Sequence, residues 1–212
     1  MALCIIIGGL NPGSQTITAT GAGSFEVPVY TSKLRVRMHG AGGGGLGHNG
    51  SVGVSGTTGG STTFSAPGGT LTAGGGGGAV TPGTNGAGGT ASGGDVNTSG
   101  DAGQEGAGLQ RGGAAGSTAN GGGAAAIGPG ADGAGTNGNI YGGGGSGART
   151  TFGQWHSGGG AAFCEKVYLP GELNPQSSVS YSVGAGGLGG NSTLHDGGNG
   201  ANGRIVIEWD YE

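Results

Sequence analysis

Glycine recurs at every third residue over long stretches of this chain. Gly44, Gly47, Gly50, Gly53, Gly56 and Gly59 hold one register, and Gly83-Gly86-Gly89, Gly100-Gly103-Gly106, Gly184-Gly187-Gly190 and Gly197-Gly200-Gly203 repeat it in shorter runs. A period of three marks an extended left-handed helix with three residues per turn, whose backbone forms no internal hydrogen bonds. Every buried N–H and C=O must then find a partner on a neighbouring segment. Collagen has the same spacing, but it needs an unbroken register and abundant proline. Here the phase is lost repeatedly, and there are seven prolines among 212 residues. Broken registers suit a bundle of short polyglycine II helices, each presenting a glycine edge to its neighbours, with turns reversing the chain between them.

Glycine supplies 63 of the 212 residues while aromatics make up 5%, so an oil-drop core cannot extend through the whole chain. A net charge of -4 and strongly patterned ends argue against wholesale disorder. Helix is expected to be nearly absent, because each glycine costs about 1 kcal/mol relative to alanine in a helix interior.

The glycine-rich body, about 40–160, separates two β-rich regions. Near the start, Lys33 to His39 alternates, with Leu34, Val36 and Met38 on one side and Arg35, Arg37 and His39 on the other. Gly21 and Gly23 suggest a turn before it, and Pro28 an edge position or a strand start in Phe25 to Tyr30. Near the end, strands are expected in Ala161–Leu169, Ser178–Val183 and Gly203–Tyr211, with Ile205, Ile207 and Trp209 sharing a face. Ser61 to Ala73 is one short strand candidate within the body. The expected fold is mainly β: a small antiparallel sheet from both chain ends plus the polyglycine II-like body. Residues 1–20 form a candidate attachment segment and 21–212 the domain itself.

Several function classes find no support. Cys4 and Cys164 form no disulfide framework or zinc knuckle, which suits a reduced protein made in a cytoplasm. The Ile5-Ile6-Ile7 run is too short for a membrane span, has no basic residue ahead of it, and reads as a buried strand. Seven dispersed Lys and Arg residues make no nucleic-acid face. Gly40, Gly42 and Gly45 fit G-x-G-x-x-G, but such glycine content produces that pattern by chance, and no helix follows to hold a phosphate. Asp95 to Asp101 resembles part of a calcium loop, yet Gly106 stands where a bidentate Glu is required, so a polar turn is the better reading. His39, His48, His156 and His195 lack metal-ligand spacing. No serine or cysteine sits in a recognisable catalytic setting, so no enzyme activity and no cofactor are expected.

The order of three segments carries a resemblance. Leu34 to Gly45 (LRVRMHGAGGGG), Ala161 to Asn191 (AAFCEKVYLPGELNPQSSVSYSVGAGGLGGN) and Asn199 to Trp209 (NGANGRIVIEW) look like the glycine-rich domain of bacteriophage tail fibre and tail-tip proteins. More loosely, the chain resembles the polyglycine II adhesins at the ends of long tail fibres, although it lacks a large separate attachment domain. The resemblance implies a virion component, made in the host cytoplasm, that docks on other tail proteins. It implies contact with a host surface glycan or outer-membrane protein through exposed loops, without membrane insertion, and tail-fibre symmetry implies a homotrimer.

The stretch Asn139 to Ser157 concentrates Tyr141, Arg149, Phe152, Trp155 and His156 in a chain poor in aromatics, and Trp, Tyr and Arg dominate binding hot spots. These residues either contact a receptor or complete a sheet core with Phe163 and Tyr168. Leu109-Gln110-Arg111 is a second candidate loop tip. Besides a receptor-binding adhesin, the pattern fits a structural connector or cement protein of the tail, or an ice-binding protein presenting a flat face of small side chains.

Overall fold

The computed structural model describes residues 12–29, 31–49, 52–105, 132–149 and 156–210. Among them there is no helix, and the regular structure is β. The strands are β1 (Gly13–Ile17), β2 (Gly21–Glu26), β3 (Leu34–His39), β4 (Gly47–His48), β5 (Gly53–Val54), β6 (Thr62–Ala66), β7 (Gly69–Ala73), β8 (Ala91–Ser92), β9 (Val96–Thr98), β10 (Phe163–Tyr168), β11 (Ser178–Val183) and β12 (Arg204–Trp209).

They form two five-stranded antiparallel sheets, where the sequence suggested one small sheet from the chain ends. The orders are β1-β12-β3-β10-β9 and β2-β11-β6-β7-β8, and a short β4-β5 hairpin stands apart. The second sheet exists because mid-chain strands join it. Ser61–Ala73 folds as the β6–β7 hairpin, whose Phe64 is fully buried.

Alternation decides the packing. Leu34, Val36 and Met38 of β3 and Ile205 and Ile207 of β12 turn inward against Phe25, Phe64, Leu71, Val179 and Val183 of the facing sheet. Phe64 packs near Phe25 and Tyr168, at ring-centroid distances of 6.5 and 6.3 Å. On the outer face, Arg35 and Arg37 pair with Glu208 at 2.7 and 2.9 Å across the β3–β12 ladder.

Two expectations from the sequence are corrected here. Gly21 and Gly23 are not a turn ahead of a strand but part of β2, which ends at Glu26 rather than running on to Tyr30. Gly23 lies opposite Tyr181, whose ring occupies the place a Cβ would take; Gly13 lies likewise beneath Trp209. Gly13–Ile17 also belongs to the first sheet, so the framework begins well before residue 21. Met1 to Asn11, including Cys4 and the isoleucine run, lie outside the described residues.

Most strands continue directly into glycine-rich segments that lie beside one another. The segment following β3, residues 40–46, is the innermost. Its N–H groups donate in rotation to three segments: Gly40, Gly43 and Leu46 to Ala162, Gly159 and His156; Ala41 and Gly44 to Gly60 and Thr57; Gly42 and Gly45 to Ala201 and Gly198. Its carbonyls accept in the same rotation from three others: Ala41 and Gly44 from Gly76 and Ala79, Gly42 and Gly45 from Gly187 and Gly190, Gly43 and Leu46 from Gly145 and Ala148. Donors go to antiparallel neighbours and acceptors face parallel ones, so six segments surround 40–46.

Glycine is required by this approach. A Cβ on Gly42, Gly43, Gly44 or Gly45 would fall on the backbone carbonyl of Gly143, Gly77, Leu188 or Ser146, respectively. At the periphery, where no further described segment follows, side-chain oxygens take over the outward N–H groups. Asn202, Asn199 and Asp196 accept from Gly186, Gly189 and Ser192, again at every third residue, and Thr58 and Ser55 accept from Gly78 and Thr81.

Candidate functional site

The directions of the segments separate the molecule into two ends. Segments 40–46, 74–79, 142–148 and 184–190 run away from the sheets, and 56–60, 86–90, 156–162 and 197–203 return. The connections 47–55, 80–85 and 191–196 therefore stand together at the end remote from the sheets. Gly103, Gly133, Arg149 and His156 are at that same end: Gly103 bonds to Gly86 O at 2.8 Å, Gly133 pairs with Arg149, and His156 O accepts from Leu46 at 3.0 Å. At the opposite end, Gly13 and Trp209 lie side by side, so the described chain enters and leaves at the outer edge of the sheets.

The histidine and loop chemistry at the remote end is mostly structural. His48 and His195 exchange backbone bonds of 2.8 and 3.1 Å, and the Ser192 hydroxyl donates to His48 O and accepts from His195 N–H. His156 is buried, with Nδ1 placed 3.2 Å from Asn85 Oδ1. That same oxygen accepts from Ser157 N–H, so Nδ1 donates to it, and Nε2, set against Gly83, has no hydrogen-bond partner among the described residues. His156 is thus buried against Asn85 and Gly83 and is not an exposed side chain at a loop tip.

Tyr141 and Arg149 are not brought together. Tyr141 lies at the sheet end of segment 142–148, where the Arg204 guanidinium stacks 4.3 Å from its ring centroid. Arg149 closes the other end, and seven residues of extended chain place it on the order of 20 Å away. Desolvation holds Arg204 below the usual guanidinium value, with Tyr141 opposing that shift and Arg37 adding to it. Tyr141 thus belongs to the junction between sheets and body. Phe152 and Trp155, as well as Leu109-Gln110-Arg111, lie outside the described residues. Of the alternative core partners, Tyr168 is in the core between the sheets, while Phe163 packs on His39 with centroids 5.0 Å apart.

The calcium-like stretch is a strand and its turn. Asp95 accepts from Val167 N–H at 2.8 Å and pairs with Lys166 at 3.4 Å, while Asn97 closes the turn on Gly94. Among the described residues no three His, Cys, Asp or Glu side chains converge as a metal site would require. No helix of the described residues is long and apolar enough to cross a membrane.

Sequence reasoning did not find the exposed amides Asn137, Asn199 and Asn202 on one flank of the body. The signal was present: Asp196, Asn199 and Asn202 recur at the same interval of three as the glycines between them. No family model, curated protein or solved structure matches the chain.

Proposed function

We propose that this chain is the receptor-binding tip of a bacteriophage tail fibre, with the segments between its sheets and loops packed as a bundle of polyglycine II helices. The observation that carries the reading is the separation of ends. The first and last described strands meet at Gly13 and Trp209, whereas the reversing connections gather at the far end of the body. With strands of six residues and segments of seven, that separation is on the order of 40 Å. An attachment through residues 1–20 would then leave the connections pointing outward, toward a host glycan or outer-membrane protein.

The bundle reading rests on the hydrogen-bond rotation around residues 40–46. Three donors and three acceptors in sequence, each serving a different neighbour, are what a threefold helix in hexagonal packing requires. A backbone lattice of this kind suits a part that must be stiff without a large apolar core. In the alternative, a connector or cement protein, the same far-end connections would be buried against another tail protein.

Steric blocking separates the two readings. In a Cys4→Ser background, polyethylene glycol is attached through Thr193→Cys at the far end or through Ser14→Cys at the sheet end; both positions are exposed. The adhesin reading expects binding of the labelled chain to host bacteria to be abolished by the far-end adduct and kept with the other. Retention with the far-end adduct, or loss with the Ser14 adduct alone, would overturn it in favour of the connector.

A further inference from the structure

Segment 197–203 is hydrogen-bonded to 184–190, 40–46, 142–148 and 133–138, and no other described segment covers its remaining side. That side is a groove, floored by 197–203 and walled by 133–138 and 184–190. Two adjoining hollows of about 370 and 510 Å³ share Asn137 and Asn199 in their linings, and between them they extend from Asp196 to Tyr141.

Its amides have fixed orientations. Asn202 Oδ1 accepts from Gly186 N–H at 2.9 Å, Asn199 Oδ1 from Gly189 N–H at 2.7 Å, and Asn137 Oδ1 from Asn199 N–H at 2.9 Å. With the oxygens committed to backbone, each Nδ2 is left as an outward donor, and Asn199 and Asn202 stand about 9 Å apart along the segment. Exposed apolar side chains flank the row: Leu188 is 64% and Ile140 71% exposed. No Lys or Arg lines the groove, and Asp196 is its single charge, at one end.

The arrangement offers donors at fixed intervals, apolar surface beside them, and little charge. An extended peptide could accept from these donors through its carbonyls but would leave its own N–H groups facing a row whose side-chain oxygens are already engaged. A sugar chain brings hydroxyl and ring oxygens as acceptors and C–H faces for Leu188 and Ile140. We propose that this groove binds a neutral oligosaccharide in extended form, with Asn137, Asn199 and Asn202 donating through Nδ2. The proposal does not depend on the tail-tip reading.

The test is titration of the isotope-labelled full chain with neutral hexasaccharides of glucose, mannose, galactose and N-acetylglucosamine, each with its disaccharide. An acidic galacturonic acid hexamer and a glycine-serine peptide serve as controls. At least one neutral hexasaccharide should give saturable shifts in the side-chain amide signals of Asn137, Asn199 and Asn202, binding about tenfold tighter than its disaccharide. Asn199→Asp keeps an oxygen for Gly189 N–H and removes the donor, so it should fold normally and bind about tenfold more weakly. The proposal is overturned by absence of saturable shifts with every neutral hexasaccharide, by equal or tighter binding of either control, or by wild-type affinity in a folded Asn199→Asp variant. Saccharide binding without attachment to cells would remove the tail-tip reading alone; attachment to cells without saccharide binding would remove the groove alone.

Discussion

Replacing Gly43 by alanine adds one methyl group at the most enclosed part of the body. The new Cβ falls on the carbonyl of Gly77, the oxygen that accepts from Gly159 N–H at 2.8 Å. Gly77 in turn donates to Ala87 O at 2.7 Å, so displacing this residue strains two backbone bonds, one on each of its flanking peptides, besides separating the segments. Overpacking contributes about 1–3 kcal/mol, and each buried group left short of its partner about 1–3 kcal/mol. The stiffer unfolded chain offsets about 0.4–1 kcal/mol. With both bonds weakened the net loss is about 2–9 kcal/mol, a large share of the roughly 5–15 kcal/mol that holds a typical protein folded. For a chain of this size, at about 2–4 °C per kcal/mol, the melting temperature should fall by at least about 4 °C and by as much as about 30 °C, measured by circular dichroism or calorimetry. Gly60→Ala is the matched comparison: its Cβ comes no closer than 3.0 Å, to the Gly184 Cα, and should cost about 1 kcal/mol. If Gly43→Ala melts within a degree or two of both wild type and Gly60→Ala, close backbone packing around residues 40–46 is refuted.

The sandwich yields three further expectations. Phe64→Ala should cost about 3–5 kcal/mol in urea denaturation, since its fully buried ring lies between the sheets beside Phe25 and Tyr168. Glu208→Gln should cost about 1–2 kcal/mol by the same assay, because it weakens the ion pairs to Arg35 and Arg37 on a partly shielded face. Stability should also fall at alkaline pH: burial pushes the Cys164 thiol from 9.0 up to about 11, and burial raises the Tyr168 phenol as well. Both are neutral when protonated and the folded state holds the proton more tightly, so the thiol's contribution is complete below pH 9 and lost as pH rises to about 11. That is roughly 2–3 kcal/mol, and Cys164→Ala should flatten this part of the urea-midpoint profile against pH.

The lattice also explains a division of labour among residue types. Within the interior, small residues are imposed by backbone approach; at the rim, Asn, Asp, Ser and Thr accept from the last N–H groups and so end the array. Asn199→Ala should therefore weaken folding by about 1 kcal/mol through the orphaned Gly189 N–H, while leaving the interior intact, as hydrogen exchange of Gly42 to Gly45 would report.

Much of the β framework was legible in the residues themselves. Alternation at Leu34–His39, Ser178–Val183 and Arg204–Trp209 located β3, β11 and β12 and their inward faces, because the strand period of two is a local property. The abundance of glycine marked where backbones approach one another, at Gly42 to Gly45 above all, but the threefold interval did not mark single segments: the register from Gly44 to Gly59 passes through the β4–β5 hairpin. Which segments neighbour which was not legible: uniform glycine runs carry almost no pairing information, and the register is fixed only when the flanking strands pair. The same tertiary pairing drew Ser61–Ala73 into a second sheet, separated Tyr141 from Arg149 by the length of a segment, and buried His156. It also turned an interval of three in Asp196, Asn199 and Asn202 into a row of side chains along an open groove, because only the packed array defines an outside for those oxygens to close.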